Sequence, residues 1–216
     1  NLIYVRTGGT EGLFRQLLPT LLHQSQRPFR LLTSGKSNSL AASMEILSYL
    51  RQHQLQGEIL HGSPAYINAR IQLLVKAEEA LRRLRGSRLG IIGEPSDWLI
   101  ASHADPDTVR QRMGIELVRI RMEELLKEIG TLDGMTAREG ADQIYKALKA
   151  IVLRHRLQGF TLRCFDLLSA VHNTGCMALA RLNAEGIVAG CEGDVPAMLS
   201  MKIVQALTGL PGFQAN

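Results

Sequence analysis

The sequence predicts an α/β protein in which helices cover parallel sheets. Short apolar segments alternate with longer amphipathic segments along the chain, and this alternation is typical of strand–helix–strand units with parallel strands. The alternation stops at a polar, glycine-containing stretch, residues 85–88, and then restarts. We therefore expect two domains, formed by residues 1–86 and 87–216.

The first domain is expected to contain three strand–helix pairs. Strands are predicted at residues 2–5, 29–32 and 58–61, and helices at residues 13–22, 40–55 and 64–84. Polar loops at residues 7–10 and 33–39 follow the first two strands. Each loop either permits a tight turn or offers backbone amides to an anion, and the sequence leaves both interpretations open.

The second domain repeats the pattern. Strands are predicted at residues 89–92, 116–120, 159–162 and 187–189, and helices at residues 106–113, 122–129, 136–156 and 195–207. A further helical stretch separates the last two strands, so these strands can lie side by side and parallel. The residues just past their carboxyl ends should then line a ligand crevice.

The composition excludes several classes of function. With 45% hydrophobic and 21% charged residues, the 216-residue chain is typical of a folded protein. The net charge of +5 is mild, and the four arginines within residues 82–88 are not interleaved with aromatics, which favours a solvated helix face over a nucleic-acid interface. No signal peptide and no apolar run of membrane-spanning length is visible. We expect a soluble, cytoplasmic protein that binds neither nucleic acid nor membranes.

The cysteines and histidines form no recognisable metal motif. Cys164, Cys176 and Cys191 show no CxxC spacing, and the six histidines form no HxH, HExxH or HxxxH pair. Three cysteines without such spacing argue against a disulfide framework or zinc knuckle and fit a reducing compartment. Cys164 and Cys191 stand at strand ends, where we expect small buried residues. His155, between two arginines, is expected to be solvated.

The strongest candidate for chemistry is a group of carboxylates after the last two strands. Asp166 follows the strand at residues 159–162, and Glu192 and Asp194 follow the strand at residues 187–189. Carboxylates that meet at a sheet edge can hold a divalent metal or exchange protons with a substrate. Asp166 or Asp194 alone could instead cap a helix, but capping does not explain Glu192. We predict that the group belongs to an active site.

Two segments around these carboxylates resemble the metal-site region of the L-fucose/L-arabinose isomerase family. They read Arg-Cys-Phe-Asp-Leu-Leu, at residues 163–168, and Ala-Gly-Cys-Glu-Gly-Asp-Val-Pro-Ala-Met-Leu-Ser-Met, at residues 189–201. Residues 38–43 and 90–100 are also similar to this family. The resemblance is closest to its fucose isomerase-like branch.

The resemblance implies a fold of two Rossmann-like, parallel-sheet domains followed by a C-terminal β-rich domain. The chain matches the first two domains, so the β-rich domain and the family's metal-binding histidine are expected to be absent from it. Residues 209–216 are neutral and partly apolar, and they read as a connection into further protein.

The resemblance also implies an aldose–ketose isomerase that uses a divalent cation, usually Mn²⁺. Such enzymes move a proton between C1 and C2 of a monosaccharide through an enediol. Asp166 and Glu192 match the catalytic positions, and Asp166, Glu192 and Asp194 match the metal ligands. Oxygen ligands suit manganese, whose charge stabilises an enediolate. Aspartate at position 166 replaces the family's usual glutamate and shortens the reach by about 1.5 Å.

Family members are homo-oligomers whose active sites are shared between subunits, so the chain by itself is expected to be inactive. Two other functions stay open. A non-catalytic carbohydrate-binding or sensing module would use a similar crevice without a metal. A related metal-dependent sugar lyase or epimerase would use the same enediolate chemistry.

Overall fold

The computed structural model describes residues 1–25 and 27–214 and shows an α/β fold with two parallel sheets. The chain forms two compact units, Asn1–Val75 and Lys76–Asn216. The fold class predicted from the alternation of apolar and amphipathic segments is confirmed.

The first unit contains a three-stranded sheet in the order β1-β2-β3, with both strand pairs parallel. Its elements are β1 (Leu2–Val5), α1 (Glu11–Gln24), β2 (Phe29–Thr33), α2 (Ser39–Gln52), β3 (Gly57–Leu60) and the start of α3 (Pro64–Leu84). Phe29, Leu31 and Thr33 of the central strand are buried in alternation with partly exposed residues, as the two-residue period of a strand requires. Phe29 and Leu31 pack with Phe14 and other apolar residues of α1 and α2.

The second unit contains a four-stranded sheet in the order β5-β4-β6-β7, again parallel throughout. Its elements after α3 are β4 (Arg88–Ile92), α4 (Pro106–Met113), β5 (Glu116–Ile120), α5 (Met122–Ile129), α6 (Ala137–His155), β6 (Gly159–Leu162), α7 (Cys164–Val171), α8 (Cys176–Ala184), β7 (Val188–Gly190) and α9 (Val195–Thr208). All four residues of β6 are buried, which fits a strand with helices on both faces.

Two apolar cores lie on the two faces of this sheet. One contains residues of α5, α6, α7 and α8, including Ile144 and Leu148. The other contains residues of α4 and α9 together with Ala80 and Leu84 from the end of α3. The second core explains why the division between the units falls inside α3, whereas the sequence placed the boundary directly after it, at 86/87. The limits of the two domains as independently folding segments stay a prediction.

The elements lie close to where the sequence placed them. The last strand begins at Val188 and ends at Gly190, one residue later than predicted. Helix α2 ends at Gln52, earlier than predicted, because Gln54 has a positive φ of 58° and leaves helical geometry. Across the described part of the chain, no helix has both the length and the apolar character needed to cross a membrane.

One predicted environment was wrong. His155 does not point freely into solvent: its Nε2 atom lies 2.8 Å from the Oε1 atom of Glu124, which the neighbouring Arg154 also contacts at 3.0 Å. The hydrogen bond from His155 and, against the effect of burial, the one from Arg154 hold the pKa of Glu124 below its usual value. This pairing could not be predicted from the sequence, because α5 and α6 are brought together only by packing.

Candidate active site

The predicted site residues lie at the carboxyl edge of the second sheet. Strands β6 and β7 pair in parallel with Thr161 opposite Gly190. Helix α7 begins two residues after β6 ends, and Asp166 lies in its first turn. A turn at residues 191–194 follows β7 directly and carries Glu192. The sheet therefore brings the chain segments of Asp166 and Glu192 to one edge, as the sequence predicted.

The turn that carries Glu192 has an uncommon backbone. Glu192 and Gly193 both have positive φ, 63° and 67°, and the Asp194 backbone N–H donates to the Cys191 carbonyl at 3.1 Å. Two successive positive φ values with this hydrogen bond define a type I′ turn. A non-glycine residue pays about 1–2 kcal/mol for left-handed geometry. Such strain concentrates at functional sites, which supports a role for Glu192.

Gly193 is required by its neighbours as well as by its φ. A Cβ atom at this position would lie 2.7 Å from the Glu94 carbonyl oxygen and 3.1 Å from the Ser96 backbone nitrogen. The Ser96 N–H also donates to the Gly193 carbonyl at 3.1 Å. The loop after β4 thus packs directly against the turn after β7 and restricts the conformation of Glu192.

Asp194 caps a helix. Its Oδ1 atom accepts a hydrogen bond from the backbone N–H of Ala197 at 2.8 Å, at the start of α9. Pro196 stands in the first turn, where its missing N–H costs nothing. Of the two interpretations that the sequence left open for Asp194, capping is the one the structure shows, and its role as a metal ligand stays a prediction.

Asp166 does not cap its helix, since the N-cap position of α7 is Arg163 and carries no side-chain capping bond. Instead, its Oδ2 atom lies 3.1 Å from Nε of Arg163. The pair is close enough for an ion pair, but the Nε–H direction does not satisfy hydrogen-bond geometry. The Asp166 side chain is 48% exposed, so its carboxylate remains accessible from solvent.

Arg163 connects the loop after β4 to this edge, a role that the sequence analysis did not assign. Its Nη1 atom donates to the Pro95 carbonyl at 2.9 Å, its Nη2 atom lies 3.2 Å from Oδ1 of Asp97, and its guanidinium lies 5.1 Å from the centre of the Trp98 ring. Burial lowers the pKa of Arg163, but its charged contacts with Asp97 and Asp166 outweigh burial and raise it overall. The available signal was a charged residue, arginine, placed directly after the strand at residues 159–162.

Two thiols lie between the segments that carry the carboxylates. The Sγ atom of Cys191 donates to the Sγ atom of Cys164 at 2.9 Å, and both side chains are half-buried rather than fully buried as predicted. The hydrogen bond from Cys191 lowers the pKa of the Cys164 thiol to about 6, although burial and the charge of Glu192 oppose it. The same hydrogen bond, together with burial, raises the pKa of Cys191.

The residues described by the structure do not by themselves form a metal centre. Within residues 1–25 and 27–214, no group of three or more His, Cys, Asp or Glu side chains lies close enough to hold a metal ion. Asp194 is engaged as a cap and Asp166 lies against Arg163. The manganese site implied by the resemblance therefore does not fit these side chains as they stand.

A cavity of about 200 Å³ lies beside the turn. Its lining comes from the loop after β4, from β5 and from the start of α9, and includes Ser96, Arg119 and Gly193. Neither Asp166 nor Glu192 lines it, and it is smaller than the roughly 300 Å³ at which small-molecule sites begin. The cavity is therefore distinct from the predicted active site.

Comparison with known proteins points to sugar isomerases. No model of a known protein family matches the chain. The chain is 21% identical over 195 residues to a sulfoquinovose isomerase of Priestia aryabhattai, 22% identical over 194 residues to one of Alkalicoccus urumqiensis, and 25% identical over 166 residues to one of Clostridium sp. (strain MSTE9). The first two matches cover 80% and 79% of this chain and the third covers 67%.

The chain spans less than half the length of these relatives: 44% of the first two and 37% of the third. Their shared name agrees with the isomerase class that the resemblance implied. Membership of the L-fucose/L-arabinose isomerase family itself stays a prediction. On the sequence relationship alone, the chain is similar to part of several sulfoquinovose isomerases.

Proposed function

We propose that this chain is part of an aldose–ketose isomerase that acts on a monosaccharide, with Glu192 and Asp166 as its acid/base residues. The observation that carries the proposal is the placement of Glu192, held in left-handed geometry at the end of β7, beside the start of α7, which carries Asp166. The sulfoquinovose isomerase name of the relatives supports the reaction class. Sulfoquinovose is accordingly the first substrate to test.

The reaction needs groups that transfer protons, and it consumes no second substrate. In the open-chain aldose, one carboxylate removes the proton on C2 while the C1 oxygen gains a proton, which gives an enediol. The proton is then returned to carbon at C1 as the C2 hydroxyl loses its own, which gives the ketose. Substrate and product are isomers, so atoms and electrons balance. Glu192 is our candidate for the transfer between carbons, and Asp166 for the transfer between oxygens.

The protein holds these groups in different ways. The type I′ turn and its packing against the loop after β4 fix the backbone of Glu192. Arg163 fixes the start of α7 and the orientation of Asp166, because its guanidinium reaches both Asp166 and the Pro95 carbonyl. Arg163 is thus a positioning residue in this proposal.

Manganese dependence is a separate proposal that rests on the resemblance. The described residues supply carboxylate oxygens, which suit Mn²⁺ or Mg²⁺, but they do not group into a complete site. The proposed proton transfers are therefore assigned to Glu192 and Asp166 and not to a metal. Calorimetric titration of the full-length gene product with Mn²⁺ tests it, with Glu192→Gln and Asp166→Asn expected to weaken uptake. Homo-oligomerisation with shared active sites and a cytoplasmic location also stay predictions.

The decisive experiment is proton exchange, measured on the full-length gene product that contains this chain. Sulfoquinovose, L-fucose, L-arabinose and other aldoses are incubated with the protein in heavy water, with and without Mn²⁺, and followed by NMR. We expect ketose to form with loss of the C2 proton. Glu192→Gln should slow this by at least about 100-fold, the lower range for loss of an acid/base group.

A matched control is Glu116→Gln. Glu116 lies on β5 and pairs with Arg88, so its loss should leave exchange unchanged. Sugar binding without exchange or metal uptake would contradict the proposal and favour a carbohydrate-binding module. Fragmented sugar would indicate a lyase, and inversion at C2 without ketose an epimerase.

A further inference from the structure

The thiols of Cys164 and Cys191 form a pair that the proposed isomerase reaction does not use. Cys164 is the first residue of α7 and Cys191 the first residue after β7. Their sulfur atoms lie 2.9 Å apart although the residues are 27 positions apart in sequence. A normal disulfide has a sulfur–sulfur distance of about 2.05 Å, so bond formation requires a relative movement of less than about 1 Å.

Two side chains hold the backbone of Cys191 by hydrogen bonds. Its N–H donates to Oε1 of Gln214 at 2.9 Å, and its carbonyl accepts from Oγ1 of Thr161 at 3.1 Å. On the other side of the pair, the Arg163 N–H donates to the Ile92 carbonyl at 2.9 Å, which fixes the residue preceding Cys164. The two thiols therefore face each other from anchored segments, and their approach is a property of the fold.

We propose that Cys164 and Cys191 are a redox modification site that forms a reversible intramolecular disulfide. The oxidant is a low-molecular-weight disulfide. One protein thiol attacks it and releases the first small thiol, leaving a mixed disulfide. The second protein thiol then attacks the protein-bound sulfur and releases the second small thiol. One S–S bond breaks and one forms, both protein thiol protons leave with the products, and the small disulfide is reduced as the protein is oxidised.

Access and position both fit such a site. Cys164 and Cys191 are half-buried, so a small molecule can reach one sulfur while the other sulfur lies close enough to form the disulfide. The disulfide would tie the start of α7 to the turn at residues 191–194. These segments carry Asp166 and Glu192, so oxidation should lower isomerase activity. That consequence rests on the proposed function, whereas disulfide formation does not.

Cys176 provides the matched control because it is exposed and lies outside the pair. Trypsin leaves Cys164 and Cys176 together on residues 164–181, and places Cys191 on residues 182–202. A Cys176→Ser variant removes this ambiguity, since a cross-link between the two peptides must then join Cys164 and Cys191. Substitution of an exposed residue should leave folding intact, so the test does not depend on altering either member of the pair.

The test exposes folded, full-length wild type and Cys176→Ser to graded ratios of oxidised and reduced glutathione, followed by acid quenching and peptide mass spectrometry. We expect the two peptides to be joined in both proteins. The mass of the cross-linked species should be two hydrogens below the summed masses of the two reduced peptides, and reduction should separate them again. In wild type, Cys176 should carry glutathione under the same oxidising conditions.

Glutathionylated Cys176 without any Cys164–Cys191 cross-link would overturn the proposal. A cross-link between Cys176 and Cys191 in its place would overturn it as well. Activity is the second readout: oxidised Cys176→Ser should lose most of its turnover and regain it on reduction. A cross-link without any isomerase activity in the reduced protein would contradict the proposed function and leave the modification site standing.

Discussion

The Nε atom of Arg163 lies 3.1 Å from the Oδ2 atom of Asp166, three residues further along the chain. The same guanidinium donates to the Pro95 carbonyl at 2.9 Å and lies 3.2 Å from Asp97. One side chain, only 15% exposed, thus joins a proposed acid/base residue to a loop that follows another strand. Arg163 therefore controls both local stability and the position of Asp166.

Replacing Arg163 by lysine should separate its geometry from its charge. Lysine keeps the charge but lacks the planar fork that reaches Pro95 and Asp166 together, so we expect a loss of about 1–3 kcal/mol in the free energy of unfolding. Urea denaturation measures this. Arg119→Lys is the control, because Arg119 is exposed and lies 3.6 Å from Glu94, an arrangement that contributes about 0–1 kcal/mol. Equal effects of the two substitutions would refute the assigned role.

Substitution of Glu192 should affect stability and activity differently. Glu192→Gly and Glu192→Gln both remove the carboxylate, but only glycine relieves the left-handed geometry, φ 63°. The glycine variant should therefore be more stable than the glutamine variant by about 1 kcal/mol, while both lose proton exchange. Thermal and urea unfolding give the difference. If glutamine were the more stable of the two, the turn would not be strained at this residue.

Gly193 should tolerate no side chain. Gly193→Ala adds a Cβ atom 2.7 Å from the Glu94 carbonyl oxygen, so the two loops must move apart. Gly134→Ala is matched to it, because Gly134 also has a positive φ, 75°, but open space around its Cβ position. We expect a loss of about 1 kcal/mol for Gly134→Ala, and a clearly larger loss for Gly193→Ala. Equal losses in urea denaturation would mean that the loops do not pack as described.

Asp194 can be tested as a cap independently of any chemistry. Asp194→Ala removes the acceptor for the Ala197 N–H and should lower the free energy of unfolding by about 1 kcal/mol. Asp194→Asn keeps an acceptor of similar capping strength and should cost much less. If the asparagine variant is stable but takes up less Mn²⁺, Asp194 has a metal role in addition to its capping role. Unchanged metal uptake leaves capping as its function.

Glu124 should make stability depend on pH. Its pKa is held below the usual value of 4.5, first by the hydrogen bond with His155 and then by Arg154. A carboxylate with a lowered folded-state pKa stabilises the fold above its ordinary pKa, and this contribution is lost as pH falls through the folded-state value. The difference in unfolding free energy between wild type and Glu124→Gln should therefore shrink as the pH falls below about 4.5. Unfolding curves from about pH 7 to about pH 3 measure it; a constant difference would argue against the contact.

The three carboxylates, Asp166, Glu192 and Asp194, show how much of the site could be predicted from the sequence. Glu192 and Asp166 were predicted to share a sheet edge because each follows a short apolar strand, and parallel strands end at the same edge. For Asp194 the sequence left two roles open, helix cap and active-site carboxylate, because capping depends on whether its side-chain oxygen accepts a hydrogen bond from the N–H of Ala197. That contact is local, but the sequence does not specify the orientation of the side chain.

The role of Arg163 was missed for a different reason. Its partners Pro95 and Asp97 lie 68 and 66 residues away in sequence, and nothing in the intervening pattern of apolar residues encodes their meeting. The pairing of His155 with Glu124, 31 residues apart, was missed for the same reason. Such contacts require the packing of helices and loops to be known.

By itself, the sequence determined the order of strands and helices, the parallel α/β class and the position of the carboxylates at strand ends. These features depend on periodicity and turn chemistry, which act over a few neighbouring residues. Only the tertiary structure decided the left-handed backbone of Glu192, the contacts of Arg163 and the meeting of the Cys164 and Cys191 sulfurs. These features arise where segments far apart in the chain are packed together, and packing is decided by the whole fold.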